Sequence, residues 1–299
     1  MRIYLIIVLS ILFFSCKKEV APNNESCSYK KVSVKKNKQK QNLNISILLD
    51  LSDRIDSVKF SNPSMEYYQR DLGYIESITK VFESHLMNKK TYSINDKIQL
   101  FIDPEPSDRA LNKKITNLKI QFDKKNATKN KIKQTSIKYK EVCTDIYNTA
   151  ISDRKYIGSN IRGFFKNKMN DYCIDNKYRN IVIILTDGYI FHKHDIIKSK
   201  NKTSYLTPKT IKGFGLNTEK WNKKMERHNY GFLSIDKKLE NIEVLVLGIN
   251  PSNNNPYEGE VIKAYWSKWL TEMSIKKFQL KTADLPTHID DVINNFILN

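Results

Sequence analysis

The chain has 299 residues, 40% hydrophobic and 11% aromatic, which excludes a disordered polypeptide and allows one large domain or two small ones. Its formal net charge is +19. Lysines supply most of it and are scattered through loops rather than gathered on one face, so the charge reads as a solvated surface and not as a nucleic-acid interface.

Met1-Arg2 is a short positive start, and Ile3 to Phe14 is a nearly unbroken apolar run followed by Ser15-Cys16. The run is too short to span a bilayer comfortably and has the layout of a secretory signal. A Cys directly after a small residue resembles the lipobox of bacterial lipoproteins, although Phe13 stands where Leu is usual. The resemblance implies that residues 1–16 are a lipoprotein signal peptide and that Cys16 is lipidated. The protein is then exported and lipid-anchored to a membrane of the bacterial cell envelope. An uncleaved anchor and an ordinary signal cut nearby are the alternatives.

Residues 17–42 lack apolar periodicity and crowd lysines between Lys30 and Lys40, where no acid falls. They read as a tether. Exported chains fold where disulfides are permitted. With Cys16 lipidated, Cys27, Cys143 and Cys173 remain, and pairing of Cys143 with Cys173 stays open. No cysteine or histidine spacing suits zinc.

Ile45 to Leu49 reads as a strand covered on both faces, ending at Asp50-Leu51-Ser52-Asp53-Arg54. A loop from Asp53 to Ser61 precedes a helix capped at Asn62, with Pro63 at its first position and Met65, Tyr68, Leu72, Ile75, Ile78, Phe82 and Leu86 on its buried face. Lys97 to Asp103 is a strand stopped by Pro104 and Pro106. Ile115, Leu118, Ile120 and Phe122 suggest an edge strand, followed by a lysine-rich loop. Tyr139 to Ala150 and Ile161 to Tyr172 are helices, separated by a tight loop at Gly158-Ser159-Asn160.

Ile181 to Leu185 is a second fully apolar strand, ending in Thr186-Asp187-Gly188. Residues 189–240 are too long for a simple connection and carry twelve Lys or Arg against five Asp or Glu. They read as a basic insertion over the strand-end face, dispensable for folding. Ile242 to Leu247 is a third apolar strand. Val261 to Met273 is a helix whose Trp266 and Trp269 belong to the core. A short strand at Phe278 and Leu280 and a helix from Ile289 to Phe296 close the chain. Strands alternating with helices predict an α/β fold: three layers, doubly wound, on a mostly parallel sheet with one antiparallel edge strand.

Asp50, Ser52, Ser159 and Asp187 are the candidate site. Their hard oxygen donors suit Mg²⁺ or another hard divalent cation. Here the chain resembles the von Willebrand factor A-like domains, which are Rossmann-like. Asp50-Leu51-Ser52, Gly158-Ser159-Asn160-Ile161 and Thr186-Asp187-Gly188 match, in order, the three elements of that family's metal-ion-dependent adhesion site. The resemblance covers residues 43–299 and implies a ligand-binding module for a protein or an acidic partner. Arg54 stands where the family has its second Ser. It either pairs with Asp50 or Asp187 and replaces the metal, or points away while a water fills the gap. His192 and His194 lack a third ligand at suitable spacing, and no phosphate loop or nucleophile elbow is present. A binding module is therefore favoured over an enzyme. A Mg²⁺-dependent hydrolase using Asp50 and Asp187, and a metal-free assembly component of an envelope complex, are the alternatives.

Overall fold

The computed structural model describes residues 41–156 and 158–299. The signal segment, Cys16, Cys27 and all but the last two residues of the expected tether lie outside the described residues.

The chain begins with β1 (Leu43–Leu49), α1 (Tyr67–Met87), β2 (Asn95–Ile102), α2 (Arg109–Thr116), β3 (Ile120–Asp123) and α3 (Lys129–Asp153). It continues with α4 (Ile161–Asn167), a π-helical turn at Met169–Cys173, and β4 (Arg179–Leu185). A long excursion follows, with β5 (Lys198–Ser199), β6 (Lys202–Thr203), α5 (Pro208–Gly213), α6 (Trp221–His228) and β7 (Gly231–Phe232). The main pattern resumes with β8 (Ile242–Ile249), α7 (Glu258–Glu272), β9 (Lys277–Thr282) and α8 (Pro286–Leu298).

Six strands form the main sheet in the order β3-β2-β1-β4-β8-β9, and β5, β6 and β7 form a small separate one. In the main sheet only β3 runs antiparallel, pairing Ile120 with Ile98 of β2. The parallel register sets Ile47 beside Leu100 and Ile183, and Ile183 beside Leu245. Every residue of β1 is buried, as a parallel strand with helices on both faces requires. Each aliphatic side chain so buried is worth about 1.5–3 kcal/mol.

Alternate side chains feed two cores. Ile45, Ile47, Leu49, Ile181, Ile183 and Leu185 meet α1, α3 and α8. Leu48, Val182, Ile184, Val244 and Val246 meet α4, α7 and the excursion. Cys143 lies in the first core and Cys173 in the second, both as free thiols. The sheet separates them, so they do not pair.

The structure corrects several boundaries. Asn62 caps no helix; its Oδ1 accepts the Ser64 and Met65 N–H groups in a local turn. The helix starts at Tyr67, where Gln69 Oε1 reaches back to the Glu66 N–H at 3.2 Å. Ile115 belongs to α2, so the edge strand shrinks to Ile120–Asp123. Part of the expected lysine-rich loop is the first half of α3, capped by Thr128. Its lysines face water while Ile132, Thr135 and Tyr139 are buried.

The excursion, expected to be dispensable, contributes side chains to the second core. Leu206, Ile211, Leu216, Phe232 and Leu239 are buried against α7. Phe232 sits edge-on to Trp269 at 5.4 Å between centroids. Trp269 Nε1 donates to the Leu233 carbonyl at 3.2 Å, and Trp266 Nε1 to that of Gly188 at 2.8 Å. The outer face of α7 would be left bare without this segment.

Candidate functional site

From β1 the chain steps outward through β2 to β3, then returns to β4 on the other side of β1. The ends of β1 and β4 therefore flank the switch point of a doubly wound sheet, where ligands bind outside the carboxyl ends of the strands. Asp50 follows β1, and its N–H still donates to Leu185 of β4 at 3.0 Å. Its carboxylate is held twice: Oδ1 accepts the Ser52 N–H at 2.9 Å, and Oδ2 accepts the Thr186 hydroxyl at 2.7 Å. These bonds explain the Asp-x-Ser and Thr-Asp spacings locally.

Arg54 lies on a short 3-10 turn, Asp53–Ile55, and is buried. Its guanidinium points inward beneath the strand ends. Nε donates to the Asp50 carbonyl and Nη2 to the Leu185 carbonyl, each at 3.1 Å. Nη2 also pairs with Asp71 of α1, whose Oδ2 accepts the Tyr147 hydroxyl from α3 at 2.7 Å. Nε stands 3.9 Å from Asp50 Oδ2. Burial opposes the guanidinium's charge, but Asp71 and Asp50 outweigh it and hold Arg54 protonated. Burial raises the Asp71 carboxyl against the pull of Arg54.

Asp71 and Tyr147 were not among the candidate residues in the sequence. The signal was there for Asp71: it sits one turn before Ile75 on the buried stripe of α1, where an acid is out of place unless paired.

Asp187 follows β4 and is partly exposed. Its Oδ1 accepts the Tyr189 N–H at 3.0 Å, and its carbonyl accepts the Asn250 N–H at 2.9 Å. None of Arg54's hydrogen bonds goes to Asp187. Its carboxyl is pushed up to about 8, by burial first and then by the negative charge of Asp50, with Arg54 opposing. Gly188 has φ +90°, and a Cβ there would strike Ile262.

Asp50, Ser52, Arg54 and Asp187 share one cavity of about 470 Å³. Its walls are aromatic: Phe60, Tyr67, Tyr156, Tyr189 and Phe191. Two are braced, Tyr67 by Asn250 Nδ2 at 2.7 Å and Tyr189 by Glu258 Oε1 at 2.7 Å. Ser159 is not brought into this cavity. It lines a neighbouring one of about 300 Å³, its Oγ 3.5 Å from the Asp103 carbonyl. Gly158 borders both cavities. Its φ is +86°, and a Cβ would collide with the Phe191 backbone, which bridges to it through His192.

These residues do not fit a divalent cation held by the four expected ligands. Ser159 faces the next cavity, and a fixed guanidinium takes the place of the missing Ser. Mg²⁺ also demands near-octahedral oxygen geometry. His192 and His194 lie with ring centroids 5.5 Å apart. Among the described residues, no group of three or more His, Cys, Asp or Glu side chains is arranged for a metal ion.

No family model matches the chain, and no curated protein matches it significantly. Among solved structures, the chain is similar to the pilus adhesin SpaC from Lactobacillus rhamnosus GG, with a TM-score of 0.40 and 10% sequence identity over 86% of this chain. The chain spans 30% of that adhesin's length.

Proposed function

We propose that residues 43–299 are a von Willebrand factor A-like binding module on an exported, lipid-anchored protein, and that its strand-end pocket works without a divalent cation. The observation that carries this reading is the seat of Arg54. A permanent cation lies under the switch point of the sheet, bonded to Asp71 and to the backbone of both central strands. It stands where the resembled family has its second Ser, with its charge turned below the pocket onto Asp71. The pocket above it is preformed, walled by braced rings and of a size for a side chain or small ligand. The hydrolase reading needs the same absent geometry for its metal, and no residue near Asp187 stands out as a general base.

Titration calorimetry with Mg²⁺ and Mn²⁺ tests the metal-free reading. Wild-type protein should give no saturable heat beyond dilution. Tight binding by wild type, lost in Asp187→Ala, would overturn it. Because Arg54→Ser leaves Asp71 unpaired, its folding must be checked by thermal melting before its metal affinity is compared.

A further inference from the structure

We infer that the strand-end pocket takes an organic cation, specifically the ammonium of a lysine side chain on a protein partner. The inference rests on the pocket being the binding site and names its ligand class. The lining contains three acids, Asp50, Asp53 and Asp187, and one base, Arg54. Arg54 is already bonded to Asp71 and to two carbonyls below the floor. Even with Lys59 on Asp53 and Arg54 on Asp71 counted, the acids here outnumber the bases, and an ammonium beside Asp187 would draw its raised carboxyl down and release the proton, although the chain as a whole is strongly basic. An acidic ligand, expected from the overall charge, would meet like charge there.

The walls suit the same occupant. An ammonium over an aromatic face gains about 0.5–2 kcal/mol, more as water is excluded, and its methylene stem packs on ring edges. The chain itself demonstrates the chemistry at the rim. Lys59 places its Nζ 5.8 Å from the Tyr156 ring centroid and 3.4 Å from Asp53 Oδ2. Deeper in, Asp187 has no such partner among the described residues. Phe60 and Phe191 line the mouth and are 45% and 41% exposed. Large apolar rings left in water at a pocket mouth mark a surface that a protein covers.

Ligand-observed NMR on the intact chain tests this with three capped amino acids: N-acetyl-lysine methylamide, its uncharged norleucine isostere, and the glutamate analogue. The lysine compound should bind about tenfold more tightly than norleucine, a gap of about 1.4 kcal/mol. Asp187→Asn should erase that gap without lowering the melting temperature. Equal binding of lysine and norleucine, or preference for glutamate, would overturn the cation and leave the pocket a binding site. Absence of binding by all three would overturn both the cation and the pocket.

Discussion

Arg54 and Asp71 lie 17 residues apart, one on the turn after β1 and one inside α1, and form a buried ion pair beneath the strand ends. The pair fastens the first loop of the candidate site to the helix that covers the sheet. Asp71→Ala would leave the guanidinium without its main counter-charge. Removing one partner of a buried pair typically costs about 3–5 kcal/mol. Urea denaturation should show a loss of that order. The double variant Arg54→Met, Asp71→Leu should recover part of it, because only Asp50, still held by the Ser52 N–H and the Thr186 hydroxyl, then lacks a cation. A single variant as stable as wild type would show that the pair is not structural.

Asp187 gives the site a pH signature. Its folded-state value is raised from 3.8 to about 8. Between those values the folded state holds a proton that the unfolded state has released. Stability then falls as pH rises through that window. Asp187→Asn removes the titration, so the variant should gain on wild type from acid to mildly alkaline pH. The gain should grow with pH through that window. Parallel stability profiles for the two proteins would contradict the shift.

The opposite sign is expected at the other end of the sheet. Asp96 is fully buried, and burial alone would raise its carboxyl. His85 Nε2 at 3.0 Å, Lys89 Nζ at 2.7 Å and the Leu43 N–H at 2.7 Å outweigh burial and lower it. The stability it contributes is present above the ordinary carboxylate value of 3.8 and is lost as pH falls through the lower folded value. Asp96→Asn should flatten the acid limb of the stability curve. It should also cost about 3 kcal/mol at neutral pH, since the buried Lys89 ammonium loses its counter-charge.

Deletion of residues 189–240 should abolish cooperative melting. Leu206 and Phe232 are almost wholly buried beside the α7 tryptophans. Phe232→Ala alone should cost about 3–5 kcal/mol. A soluble deletion variant with a sharp thermal transition would show that the segment is an autonomous appendage.

The proposed anchor is tested directly. Cys16→Ala should release the protein from membranes or stall its processing, as read by fractionation and by the mass of the mature chain. Unchanged membrane association with normal maturation would count against lipidation.

The central strands were legible because parallel strands covered on both faces have little room for polar residues. Ile45 to Leu49 and Ile181 to Leu185 therefore stand out unaided, and the acids that follow them mark the strand ends. The meeting of Asp71 with Tyr147 could not be read in the same way. It joins two helices across 76 residues, and nothing local in either helix names the other. The first half of α3 was hidden by its own solvation: lysines at 129, 131, 133, 138 and 140 mask a stripe of only Ile132, Thr135 and Tyr139. The burial of the excursion leaves no trace in the sequence because its core residues are spread over short elements, none long enough to show a period. Ser159 matched a motif in sequence but faces the wrong cavity, since its loop is pinned by the Asn160 N–H to the Asp103 carbonyl at 2.7 Å.

The two buried thiols on opposite sides of the sheet act as a pair of independent reporters. Cys143 sits among α1, α3 and α8, and Cys173 among α4, α7 and the excursion. Burial pushes Cys173 up to about 12 and raises Cys143 further, so neither offers thiolate while its layer is closed. Pulsed alkylation followed by peptide mass analysis would time the opening of each layer separately within a single unmodified molecule. A difference between the two labelling rates would measure how far one half of the protein can come apart while the other stays folded.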